Sequence, residues 1–157
     1  DVCSSDLPSF KISDRALLGP LKTTATSGTD IRRIAKVARS YGLRAELLLK
    51  TSPDELRHRL RLGQTVILNF QAWPGRLRHK SRGDGHFAVL VGARGSRFYL
   101  MDPWLGDFGH VNSADLLAAW SDNAGNERRA VAIWGGRPKT VVNLDSTRRI
   151  ETKPRIK

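Results

Sequence analysis

The chain has 157 residues, 39% of them hydrophobic and 27% charged, which suits one domain with its own core and is short for two. The longest clean apolar run, Phe87 to Val91, is strand-sized, far below the roughly 20 residues of a bilayer-crossing helix, and no basic-then-apolar signal segment opens the chain. The net charge of +12 comes from 19 Arg and 8 Lys spread along the whole length. With no tight basic cluster interleaved with stacking aromatics, nucleic acid is not an expected partner.

Asp1 to Leu7 has no periodicity and is expected to be a non-native leader, with native sequence from about Pro8. Ser13 to Leu21 reads as a short helix capped by Ser13, with Leu17, Leu18 and Leu21 turned inward. Lys22 to Gly28 is a polar loop. Thr29 is expected to cap an amphipathic helix with Ile31, Ile34, Ala35, Ala38 and Tyr41 on one face and Arg32, Arg33, Lys36 and Arg39 on the other. Gly42 marks its left-handed stop. Leu43 to Leu49 reads as a strand. Ser52-Pro53-Asp54-Glu55 is a capping box with proline at the first helical position, and that helix ends at Gly63.

Thr65 to Phe70 reads as a buried strand, followed by a long Gly-, Arg- and Pro-rich loop to Gly85. His86 to Val91 and Arg97 to Met101 form an expected hairpin joined by Ala93-Arg94-Gly95-Ser96. Asn112 or Ser113 caps a helix to Trp120, and Arg129 to Trp134 supplies a last strand. From Arg137 onward the chain is basic and weakly patterned and is expected to be a mobile tail beyond a domain spanning 8–136. Helices gathered first and strands later indicate an α+β domain with an antiparallel sheet.

The chemistry concentrates at Gly85-His86-Phe87 and Asp102-Pro103-Trp104. A histidine opening one strand and an aspartate closing its neighbour are a base and its orienter, half of a nucleophilic site. Each alone has a plainer reading, an edge histidine and an Asp-Pro turn starter; on paired strands they read as catalytic. Gln71 and Trp73, after the Thr65 strand, are candidate substrate contacts, and Trp104 is a third, placed to shield the pair from water. Trp120 and Trp134 read as core. His58 reads as solvated on its helix, His79 as a loop residue and His110 as a turn residue; none has a second ligand at metal spacing, so no metal and no cofactor are expected. Cys3, the single cysteine, excludes an internal disulfide framework.

Thr26-Ser27-Gly28-Thr29, Tyr41-Gly42-Leu43-Arg44-Ala45-Glu46, the Leu56 to Gly63 helix, Thr65-Val66-Ile67-Leu68, Gly85-His86-Phe87, Asp102-Pro103-Trp104 and Trp120 fall in an order that resembles the bacteriocin-processing-type cysteine peptidases. This is family thirty-nine of the cysteine peptidases, papain-like in fold, whose members remove double-glycine leaders. The resemblance runs from about Ser9 to Trp134. It implies a papain-like fold with N-terminal helices packed on the sheet, a peptide or protein substrate, and a membrane transporter as a partner of the full-length protein. It implies that His86 ionises a cysteine thiol and that Asp102 orients the imidazole. The family's cysteine opens a long helix, preceded by aspartate and followed by glycine, with an oxyanion glutamine a few residues earlier. Cys3, followed by Ser4, Ser5 and Asp6 with Pro8 close behind, does not fit that pattern. The chain is accordingly expected to lack its nucleophile helix and to be inactive by itself. Three rivals stay open: a cysteine-less peptide-binding relative, another thiol hydrolase of transglutaminase-like or amidase-like type, and a basic nucleic-acid-binding protein.

Overall fold

A computed structural model describes residues 13–26, 28–71, 85–103, 106–120, 128–135 and 148–149, the last two and Gln71 by backbone alone. The first helix, α1 (Asp14–Leu21), is capped as expected: the Ser13 Oγ accepts from the Ala16 N–H. Its leucines turn inward only in part: Leu17 and Leu21 are half-buried, Leu18 is 55% exposed and no residue of α1 is fully buried, since α1 packs chiefly on α2.

Helix α2 (Ile31–Ser40) is capped by Asp30 in place of Thr29; its carboxylate accepts from the Arg32 N–H while the Thr29 hydroxyl is engaged with Thr23. Ile31, Ala35 and Ala38 are buried, and Ile34 and Tyr41 half-buried. Gly42, at φ 78°, makes the expected left-handed turn into β1 (Arg44–Leu48). Helix α3 (Pro53–Arg61) starts with the Ser52 Oγ accepting from the Glu55 N–H and stops at Gly63, φ 70°.

The remaining elements are β2 (Thr65–Gln71), β3 (Gly85–Arg94), β4 (Arg97–Asp102), β5 (Asp107–Asn112), α4 (Ser113–Ala119, capped by Asn112), β6 (Arg129–Trp134) and β7 (Arg148–Arg149). Among the described residues the strands form one sheet in the order β1-β6-β2-β3-β4-β5-β7. Every pair is antiparallel except β5 and β7, which run parallel. The domain is therefore α+β. Strand β5 corrects the reading of His110 as a turn residue, and β7 extends the sheet past the expected boundary at 136.

Helices cover both faces. On one, Leu56 of α3 and Leu116, Ala119 and Trp120 of α4 pack over Val66, Leu68, Phe70, Ala88, Leu90, Phe98, Leu100, Ala130 and Ala132. On the other, Ile31, Ala35 and Ala38 of α2 pack over Ala45 and Val131, with Leu47 and Phe87 alongside. Each fully buried leucine or phenylalanine contributes about 1.5–3 kcal/mol. Trp120 is 1% exposed and its indole N–H donates to the Arg129 carbonyl at 3.0 Å, so it is core, as read; Trp134 is half-buried against the same cluster.

The β3–β4 hairpin turns through Gly95-Ser96, a two-residue loop with glycine in its first position at φ 57°. Its register then shifts between Leu90 and Gly92. Had the loop-end register run on unbroken, Asp102 would stand opposite Val89, on the face away from His86. The shift leaves Val91 out of the ladder and sets Met101 opposite Val89 instead. Side chains alternate faces residue by residue, so this single irregularity returns Asp102 to the face of His86, Ala88 and Leu90.

Candidate active site

His86 stands at the open end of β3, paired with Phe70 of β2, and Asp102 is the last residue of β4. The His86 Nε2 and the Asp102 Oδ1 are 2.7 Å apart. Asp102 is completely buried, while the His86 side chain is 14% exposed, so the imidazole reaches the surface and its carboxylate partner does not. A buried carboxylate needs a partner able to carry charge, and the ring supplies one. The Phe70 ring meets the imidazole edge-on, centroids 5.3 Å apart and planes at 90°, which fixes the ring's tilt. Behind Asp102, the Gly106 N–H donates to the Asp102 carbonyl at 3.0 Å, closing the turn between β4 and β5. Gly106 has φ 63°, so a side chain there would strain the same turn.

Protons follow from this geometry. An ionised Asp102 accepts from Nε2–H, which fixes the neutral tautomer with its lone pair on Nδ1. The basic atom is then Nδ1, on the side of the ring away from Asp102. When the ring takes a second proton, the carboxylate at 2.7 Å stabilises the imidazolium. The pair is thus built to accept a proton from an acidic nucleophile and return it to a leaving group.

Of the other sequence-level candidates, Gln71 is described by its backbone alone, pairing with Gly85 at the site end of the sheet. The Gln71 side chain, Trp73, Trp104, His79 and Cys3 lie outside the described residues. His58 is exposed on α3, and His110 sits on β5 beside the Tyr99 ring, 5.9 Å between centroids. Neither approaches the pair in sequence register. Among the described residues, no three His, Cys, Asp or Glu side chains gather in a metal-ligating group, and no helix is long and apolar enough to cross a membrane. Phe70 is the site residue that sequence reasoning missed. Its signal was the pairing of β2 with β3, which sets Phe70 opposite His86.

No protein-family model matches the chain, and no curated protein matches it. Among solved structures it is similar to a protein from Bacillus anthracis provisionally described as a C39-like peptidase, with 22% identity and a TM-score of 0.53. The fold is C39-peptidase-like. The match covers 69% of this chain and 60% of that structure, so this chain spans less than two thirds of its neighbour's length. At that identity the likeness speaks for the C39-like architecture, and the chemistry rests on the residues described above.

Proposed function

We propose that the chain carries the base-and-orienter half of a cysteine-type peptidase site, with the thiol contributed from outside the described residues. The observation that carries this reading is the contact of 2.7 Å between a surface-reaching imidazole and a fully buried carboxylate at one end of a C39-like sheet. Nδ1 of His86 takes the thiol proton, and the thiolate attacks the carbonyl carbon of a peptide bond. The tetrahedral oxyanion collapses, the C–N bond breaks, and the amine leaves with the proton held by His86. Water then gives a proton to Nδ1 and attacks the acyl-thiol; the thiolate departs, reclaims that proton, and the acid product is released. Asp102 holds the tautomer and the charge of the ring throughout. Gln71, Trp73 and Trp104 are the residues we propose, from the sequence, as substrate contacts. The substrate is a peptide or protein.

The test is the pH dependence of iodoacetamide alkylation in the intact gene product, wild type against His86→Ala. A free thiol ionises near 8.5, and a neighbouring imidazolium brings that down to roughly 3.5–7.5. One cysteine should therefore alkylate well below neutral pH in the wild type and only around pH 8–9 in His86→Ala. Superimposed profiles, or no reactive cysteine, contradict the proposal.

A further inference from the structure

Among the described residues, two buried side-chain atoms lack a hydrogen-bond partner, the Nε of Arg128 and the Oγ1 of Thr51. They belong to neighbours, since the Thr51 N–H donates to the Arg128 carbonyl at 3.1 Å. Lys50, just past β1, holds a left-handed φ of 53°, and that turn carries Thr51 inward to 5% exposure. A left-handed backbone is costly on a residue other than glycine, and so is a buried donor left without an acceptor. Folded proteins keep few such atoms. Here two lie in adjoining residues, beside strained backbone.

Their place in the fold brings them to the candidate site. Asn69 pairs with Arg129, and Phe70 with His86. One step along, Arg128 falls in line with Phe70, so Arg128, Phe70 and His86 make a row across β6, β2 and β3. Two strand spacings, about 10 Å, separate the ends of that row. The row also shares a face. Ala130, Phe70 and Ala88 all belong to the core under α3 and α4, and Arg128 and His86 each stand two residues before one of its members. Arg128 is half-buried, and no ion pair of the described residues engages it. A guanidinium keeps its charge at any working pH. Rooted in the fold with its Nε–H unspent, this one is matched by an acceptor that carries the opposite charge.

We propose that Arg128 and Thr51 bind a carboxylate of the peptide held at the candidate site. The carboxylate enters from the rim, takes the Nε–H and one Nη–H of Arg128 as a fork, and accepts from the Thr51 hydroxyl. The assignment rests on the peptide reading of that site and adds a feature of the substrate: a negative charge about three residues from the bond cut, at ~3.3 Å per extended residue. An acidic side chain and a free C-terminus present the same group.

The experiment is fluorescence anisotropy of the full chain with labelled octapeptides: one blocked at both ends with a central Leu-Glu, its Leu-Gln counterpart, and the Leu-Gln peptide with its C-terminal carboxylate free. A carboxylate-bearing peptide should bind about tenfold tighter, or more, than the blocked Leu-Gln peptide, and which of the two does so names the source. Arg128→Gln should erase the difference. Arg128→Lys, which keeps the charge without the fork, should shrink it and decides the matter if the Gln variant does not fold. Thr51→Val should bind the preferred peptide more weakly yet melt no lower than wild type, because it removes an unpaired hydroxyl at constant shape. Equal binding of the peptides, no binding, a preference undiminished in either Arg128 variant, or a lower melting temperature for Thr51→Val would overturn the assignment. Binding is read without catalysis. Superimposed alkylation profiles beside a retained carboxylate preference sink the thiol reading alone, and equal peptide binding beside a shifted profile sinks this one alone.

Discussion

At the scale of single residues, the account turns on which nitrogen of His86 is bonded to Asp102. Asp102 has no exposure, and its carboxylate meets the ring in a contact of 2.7 Å. Two-bond nitrogen–proton spectra of the imidazole should show the Nε2–H tautomer at high pH, with a strongly downfield proton. Asp102→Asn should move that proton upfield and let both tautomers populate. An Nδ1–H tautomer in the wild type contradicts the assignment of Nδ1 as base. The adjacency of His86 and Asp102 was legible in sequence, because each closes a strand of one hairpin. Their shared face was not: nothing in the run Ala88-Val89-Leu90-Val91 marks Val91 as the residue outside the ladder. Asp30 displaced Thr29 as a cap for a similarly local reason, two competent capping residues side by side.

At the scale of elements, the hairpin is the positioning device. Deleting Val91 removes the irregular residue and joins two stretches that are already in register, Gly92 with Tyr99 and Leu90 with Leu100. The His86–Asp102 bond should survive that deletion. Deleting Val89, between the anchored Leu90 and His86, should swing His86 to the opposite face and abolish the downfield signal. The reverse pattern would refute the register argument.

Arg57 ties α3 to the same hairpin. It donates to the Gly95 carbonyl at 2.7 Å and to the Ser113 hydroxyl at 3.2 Å, and its guanidinium lies 4.3 Å from the Phe98 ring centroid. Arg57→Ala should cost about 1–3 kcal/mol, seen as a melting temperature several degrees lower; an unchanged melting curve would show the tie to be incidental. Sequence patterning found α2, α3, α4 and β6 because each has a cap or a clean apolar stripe. It missed β5, whose buried positions Gly109 and Val111 alternate with Phe108 and His110, an alternation too weak in hydrophobicity to register. It turned Leu18 of α1 inward along with Leu17 and Leu21 because helical periodicity cannot say how far anything extends beneath the stripe.

At the scale of the whole molecule, the seven strands among the described residues form one sheet with helices on both faces and carry the candidate site at one end. There the His86–Asp102 pair lies on the α3–α4 face. The class of fold followed from element order, and the C39-like architecture from the ordered motifs. The strand order, with β6 inserted between β1 and β2, was not legible, since the last long strand pairs across most of the chain's length. The central claim is that His86, held by Asp102, performs proton transfer in peptide hydrolysis, and kcat/KM of the intact gene product on a peptide substrate tests it most directly. His86→Ala should lower kcat/KM on the order of 10²–10⁴-fold, and Asp102→Asn should lower kcat with KM little changed, each in a protein that still shows the folded circular-dichroism spectrum. Hydrolysis at wild-type rates in a folded His86→Ala protein would contradict the account.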